Sequence, residues 1–307
     1  MRIVVIGQAA FGQKVLERLL EREEQVVAVF CPPDSPQGPV DPLKETAGRA
    51  GIPAFQPTRM NNPAVIADYH TLRPDLNIMA FVTDIVPGTI LHYPTHGSIQ
   101  YHPSLLPKHR GKSAINWAVV NGEQRTGVSI FWVDEGIDTG PILLQKEVTI
   151  DPDDTTGSLY FNKLFPLGVD ALMEALDLIN SGTAPRIEQD HFQATYEPPY
   201  DERYARIDWH KPGCEVYNLI RGCDPQPGAY TMVHGKKLQL YATSPLFRPE
   251  FRDKGLPGCI LRIEENGVII SVKGGALLLQ RVRPEGEGKM NAAEFARKEA
   301  LKEGDAL

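Results

Sequence analysis

His102 closes the run Ser98-Ile99-Gln100-Tyr101-His102 and is followed at once by Pro103-Ser104-Leu105-Leu106-Pro107. The alternation of Ile99 and Tyr101 with polar neighbours predicts a strand, and the prolines predict a loop that continues neither strand nor helix. A second predicted strand over 128–133 leads into Asp134-Glu135-Gly136-Ile137-Asp138-Thr139-Gly140, where Asp138 sits among glycines. In an open α/β sheet, loops at the carboxyl ends of neighbouring strands face one crevice, and ligands bind there. Delivered to that crevice together, an imidazole and a carboxylate share proton transfer and stabilise an oxyanion. His102 and Asp138 are therefore the candidate catalytic pair.

Other suggestive spacings carry less chemistry. Gly7-Gln8-Ala9-Ala10-Phe11-Gly12 follows a first strand but lacks the middle glycine of a dinucleotide fingerprint. The second strand ends in Phe30-Cys31, not in an acid able to hold a ribose, so tight strand-to-helix packing is expected there and no NAD(P). Gly111-Lys112-Ser113 is not a phosphate loop, because Leu106 stands where its first glycine belongs. His92 and His96 are separated by Pro94, which breaks the helix that would align them, and no acid lies at ligand spacing. No metal is expected. Trp117 and Trp132 read as core residues.

The elements that position the pair alternate along the first two thirds of the chain. Strands are expected over 2–6, 25–30, 76–82 and 97–102, and helices over 12–24, 41–50, 62–69, 112–121 and 158–181. This alternation predicts a Rossmann-like α/β fold with a largely parallel, doubly wound sheet. Pro198-Pro199 and nearby charges mark a linker over 193–203. Beyond it come short strands over 228–233, 237–241, 258–264, 267–273 and 276–282, punctuated by Asn266-Gly267 and Gly274-Gly275, which predict a small OB-like β-barrel. The expected domains are 1–203 and 204–307.

With 307 residues and 42% hydrophobic content, the chain can bury a sizeable core. A formal net charge of −7 argues against a nucleic-acid footprint, which calls for a basic face. Cys31, Cys214, Cys223 and Cys259 show no CxxC spacing, so reduced thiols are expected. The opening Met1-Arg2-Ile3-Val4-Val5-Ile6-Gly7 reads as a strand, not a secretory signal, and no run approaches the roughly 20 apolar residues of a membrane span. A soluble, cytoplasmic protein is the expectation.

The segment YHPSLLPKHRGKSAINWAVVNGEQRTGVSIFWVDEGIDTGPILLQKE resembles the folate-dependent formyltransferase family. The resemblance extends through VIGQAAFGQ, FVTDIVP, ATYEPPY, IDWHKPGCEVYNLIRGCDPQPGAYT and GKMNAAEF. Within the family, the chain is most similar to the amino-terminal hydrolase domain of 10-formyltetrahydrofolate dehydrogenases, and more distantly to methionyl-tRNA formyltransferases. The resemblance implies a formyl-transfer domain followed by a small barrel, with 10-formyltetrahydrofolate as donor and no metal. It assigns the family's histidine and aspartate to His102 and Asp138. It sets the pteridine against the backbone of Asp84-Ile85-Val86 and beside Asp138. Two residues before the histidine the transferases carry an asparagine that binds the formyl oxygen, and the dehydrogenase-type domain an apolar residue. Here that position is Gln100, which still offers an amide N–H, moved by one methylene.

The implied activity is transfer of the N10-formyl group to water or a small amine, by His102, Asp138 and Gln100. The alternatives are formylation of methionyl-tRNA or of an amino sugar on a nucleotide, and a non-catalytic folate-binding protein. The tRNA enzymes carry a basic insert after the second strand. Residues 31–51 hold Lys44 and Arg49 against Asp34, Asp41 and Glu45, a balance that repels phosphates and disfavours tRNA as a partner. The dehydrogenases also carry an aldehyde dehydrogenase module. This chain ends at Leu307, so no oxidation and no nicotinamide are expected.

Overall fold

The computed structural model describes residues 1–35, 37–252 and 254–307. Pro36, inside the acidic segment 31–51, lies outside the described residues. The chain runs β1 (Arg2–Gly7), α1 (Ala9–Glu21), β2 (Gln25–Phe30), α2 (Pro42–Arg49), β3 (Ala54–Phe55), α3 (Pro63–Thr71) and β4 (Leu76–Ala80). It continues through α4 (Gly88–Leu91), β5 (Ser98–His102), α5 (Ala114–Val120), β6 (Arg125–Trp132), β7 (Ile142–Thr149), α6 (Thr156–Leu159) and α7 (Phe165–Asn180). After these come α8 (Gly213–Gly222), β8 (Ala229–Val233), β9 (Lys236–Leu246), β10 (Ile260–Glu264), β11 (Gly267–Val272), β12 (Gly275–Pro284), β13 (Met290–Asn291) and α9 (Ala292–Lys298).

Packing divides the chain into two units, each assembled from three segments. The first comprises Met1–Gly111, Gly127–Val148 and Asn162–Tyr196. Its seven-stranded sheet has the order β3-β2-β1-β4-β5-β6-β7. Pairings β1–β2, β2–β3, β1–β4 and β4–β5 are parallel. Ile3, Val4 and Val5 are fully buried, as expected of a central strand covered on both faces. The strand order runs outward from β1 to β3 and then returns to β4, so a topological switch point opens between β1 and β4. Gly7 lets these two strands close up there: a Cβ on it would stand 2.2 Å from the Ala80 carbonyl oxygen. The glycine serves packing, as its spacing indicated.

One expectation about this sheet is corrected. β6 runs antiparallel to β5, with Tyr101 opposite Ile130 and His102 opposite Ser129. The carboxyl end of β6 therefore lies beside the start of β5, where the Val133 N–H donates to the Ser98 carbonyl at 2.9 Å. Residue periodicity fixes which face a side chain takes but not the direction of its strand. The long predicted helix over 158–181 is present as α6, a π-helical segment Tyr160–Leu164, and α7 with Pro166 in its first turn.

The second unit comprises Lys112–Thr126, Thr149–Phe161 and Glu197–Leu307. Its strands form an antiparallel sheet in the order β10-β11-β12-β9-β8, with β13 pairing to β12. The five strands expected in this region are all present, and α8 and α9 add to them. Val216, Tyr217 and Ile220 of α8 and Phe295 and Ala296 of α9 join Leu240, Ile270 and Leu279 in one core. No helix among the described residues is long and apolar enough to cross a membrane.

Candidate active site

Period-two alternation along β5 sends Ile99 and Tyr101 to one face of the sheet and Ser98, Gln100 and His102 to the other. The first face packs, with Tyr101 stacked on Phe11 of α1 at 4.2 Å between ring centroids. The second carries polar chemistry. His102 is 4% exposed and Asp138 7%, and His102 Nδ1 stands 3.5 Å from Asp138 Oδ2. The Gln100 amide donates to Asp138 Oδ1 at 3.3 Å, and the Gly111 backbone N–H donates to Oδ2 at 2.7 Å. All three catalytic candidates therefore converge. They do not meet by the expected route, because β6 ends beside the start of β5 and the 133–141 loop returns Asp138 to the carboxyl end of β5.

The ring orientation of His102 follows from its other nitrogen. Nε2 lies 2.7 Å from the His109 carbonyl oxygen, which only accepts, so Nε2 carries the donated hydrogen. Nδ1 is then the nitrogen turned to Asp138. A bare Nδ1 lone pair would repel the carboxylate, whereas a shared proton makes the approach attractive.

The loop after His102 is tightly braced. Ser129 Oγ of β6 accepts from the Leu106 N–H at 3.1 Å and donates to the Ser104 carbonyl at 2.7 Å. Gln145 of β7 donates to Ser129 Oγ at 2.8 Å and to the Leu106 carbonyl at 2.9 Å. Among the positive-φ residues that are not glycine, Phe81, His109 and Asp138 hold φ values of 63°, 55° and 54°. Such conformations cost about 1–3 kcal/mol each and cluster at functional sites.

At the switch point an open cleft is lined by Gly7, Gln8, Cys31, Phe81, Asp84 and Val86, among others. Its lining includes none of Gln100, His102 and Asp138. The two features nevertheless share one end of the sheet: Met79 of β4 pairs with Gln100 of β5. Of the segment expected to receive the pteridine, Asp84 and Val86 line the cleft, while Ile85 is 93% exposed and stands outside its lining. His92 and His96 are exposed.

Cys31 brings a thiol into the lining. Burial pushes it up to about 11, reinforced by the charges of Asp41 and Asp34. It therefore stays a protonated, poorly nucleophilic thiol at neutral pH. Alkylation at pH 8, followed by peptide mass spectrometry, is expected to label exposed Cys214 well ahead of Cys31. Labelling of Cys31 first would contradict this.

Residues 1–176 match the family model described as formyl transferase, and residues 201–300 match the formyl transferase C-terminal domain. The chain belongs to the formyl transferase family. It is 43% identical over 249 residues to cytosolic 10-formyltetrahydrofolate dehydrogenase of Xenopus laevis, covering 80% of this chain and 28% of that one. The chain thus spans less than a third of that dehydrogenase. It is 36% identical over 300 residues to methionyl-tRNA formyltransferase of Geotalea uraniireducens, covering 96% of this chain and 94% of that enzyme. Among solved structures, HypX from Aquifex aeolicus in complex with tetrahydrofolic acid superposes with a TM-score of 0.71 at 22% identity. That match covers all of this chain and 49% of HypX, and it shows a shared fold.

Sequence reasoning placed the pair and Gln100 but missed their support. Ser129, Gln145 and Gln189 carried no motif. Their roles arise where separate strands and loops meet.

Proposed function

We propose that this formyl transferase takes 10-formyltetrahydrofolate as donor and moves its formyl group to water or a small amine, with His102 and Asp138 as the catalytic pair. The observation that carries this reading is the 3.5 Å approach of His102 Nδ1 to Asp138 Oδ2, beside a cleft at the switch point of the sheet. A nucleophile adding to the formyl carbon gives up a proton and leaves an oxyanion. The Asp138 carboxylate accepts that proton, and the proton held with His102 passes to N10 as the carbon–nitrogen bond breaks. Tetrahydrofolate leaves with its amine protonated, and the acceptor, or formate, carries the carbon. Gln100 spends one amide hydrogen on Asp138 and keeps the other to donate to the oxyanion, an interaction typically worth ~3 kcal/mol of barrier. Asp84 and Val86 lie in the wall that would seat the pteridine. This chemistry uses no metal and no nicotinamide.

The acidic segment 31–51 supports a small acceptor over tRNA. Its two cations are occupied: Lys44 pairs with Asp34, and Arg49 Nη1 lies 3.9 Å from Glu45 Oε1. Asp41 accepts from the Ala9 N–H at 2.9 Å, so this segment folds back on the first strand–helix turn and offers no basic arm to phosphates. A cytoplasmic setting fits the four free cysteines.

Incubation with 10-formyltetrahydrofolate alone, with formate and tetrahydrofolate quantified, tests the reading. Release without acceptor marks a hydrolase. Release only after an amine is added marks a transferase. Formyl turnover that persists in His102→Ala overturns the catalytic assignment. Tight binding of initiator tRNA at low salt overturns the preference for a small acceptor, and turnover only with a nucleotide-linked amino sugar moves the assignment to that class.

A further inference from the structure

We propose that Arg110 and Gln189 are positioning residues that clamp Asp138 against His102, an inference that rests on reading this pair as the formyl-transfer centre. Arg110 is 2% exposed. A buried guanidinium is costly unless every N–H is used, and here the recorded bonds go to neutral acceptors. Nε and Nη2 both donate to Gln189 Oε1, at 3.2 and 2.7 Å. Nη1 donates to the Tyr196 hydroxyl at 2.5 Å, and Nη2 also reaches His191 Nδ1 at 3.0 Å.

The far side of Gln189 faces the catalytic loop. Its amide nitrogen donates to the Asp138 carbonyl at 2.9 Å and to the Gly140 carbonyl at 2.7 Å. The residues flanking Arg110 hold the pair directly: the His109 carbonyl takes the His102 Nε2 hydrogen, and the Gly111 N–H binds Asp138 Oδ2. Three consecutive residues thus address both members of the pair, two through backbone and one through Gln189. Asp138 sits at φ 54°, in the left-handed region.

The position demands a carboxamide. One planar group must accept twice from a guanidinium and donate twice to carbonyls, and among side chains only Gln and Asn do both. Gln189→Glu keeps an acceptor for Arg110, so the guanidinium stays satisfied. It turns an acceptor oxygen on the two carbonyls, so the 138–140 loop loses both anchors.

The test compares the full chain with its Gln189→Glu variant. Expected are a kcat for formyl release lower by about 10- to 100-fold, the scale of an ångström of misplacement, with tetrahydrofolate affinity unchanged. Amide exchange at Gly111, followed by NMR, is expected to speed up about tenfold as its carboxylate partner loosens. Unchanged Gly111 exchange or unchanged kcat overturns the clamp, as does a drop in folate affinity that matches the drop in kcat. In the unmutated chain the Arg110 Nε–H must exchange slowly, and rapid exchange overturns the clamp even if the variant does not fold. A wild type that never turns over 10-formyltetrahydrofolate, while the exchange results hold, overturns the functional reading and leaves the clamp supported.

Discussion

Replacing Asp138 with Asn is expected to lower formyl turnover by about 10²–10⁴-fold, the range of a lost general acid–base group, with tetrahydrofolate affinity and melting temperature close to wild type. The substitution is nearly isosteric, and its neighbours can absorb it. Gly111 donates to one carboxylate oxygen and Gln100 to the other. The oxygen of the introduced carboxamide can stay on Gly111, whose backbone N–H cannot turn. The new NH2 then faces Gln100, and a flip of the Gln100 amide presents its oxygen as acceptor. The hydrogen-bond pattern survives while the negative charge disappears. With it goes the group proposed above to receive the nucleophile's proton. Single-turnover kinetics against equilibrium folate binding separates the two effects. A kcat within fivefold of wild type would remove Asp138 from the chemistry, and a parallel collapse of binding would make it a binding residue.

The convergence of His102 and Asp138 was legible because its signals are local. A strand that ends in His-Pro and a glycine-flanked aspartate are written in consecutive residues, whereas Gln100 entered only through the resemblance to the formyltransferases, as the residue at their asparagine position. The parallel core of the first unit was legible for the same reason, since apolar runs alternate with helical spacing from β1 to β5. Strand direction was not legible at β6, because 128–133 reads identically in either sense. The strand β7 was missed: its sequence, Ile142-Leu143-Leu144-Gln145-Lys146-Glu147-Val148-Thr149, buries only its first two residues fully and then alternates half-buried with exposed. In the second unit α8 opens with Gly213 and Cys214 and spans ten residues, too short for propensity to decide. Its helical state comes from Val216, Tyr217 and Ile220 reaching the β-sheet core. Gln189 lay in a stretch without periodicity. Its importance is tertiary, set by which buried groups it meets, and no spacing rule encodes that.

The glycines of the 134–140 turn divide by what surrounds them, and this yields the second large expectation. Gly140→Ala is expected to destabilise the fold by about 3–5 kcal/mol, at the exceptional end for a single substitution, lowering the melting temperature by roughly 5–8 °C. A Cβ on Gly140 would stand 1.8 Å from the Trp132 carbonyl oxygen and 3.3 Å from the Asp134 backbone nitrogen. Both are main-chain atoms. The Trp132 N–H is bonded to the Pro141 carbonyl at 2.9 Å, so β6 cannot retreat without breaking its junction with β7. The displaced segment would also carry the Gly140 and Asp138 carbonyls off Gln189, so activity should fall further than the folded fraction alone predicts. Gly136 provides the contrast. Its Cβ would meet Thr139 Oγ1 at 1.9 Å, a side-chain atom that can rotate at the cost of its 2.6 Å bond to Asp134. Gly136→Ala should therefore cost about 1 kcal/mol, the value of one exchanged hydrogen bond. Thermal denaturation of the two variants side by side measures the difference. Equal losses would mean that the close approach of Gly140 to β6 is not what holds Asp138 in place.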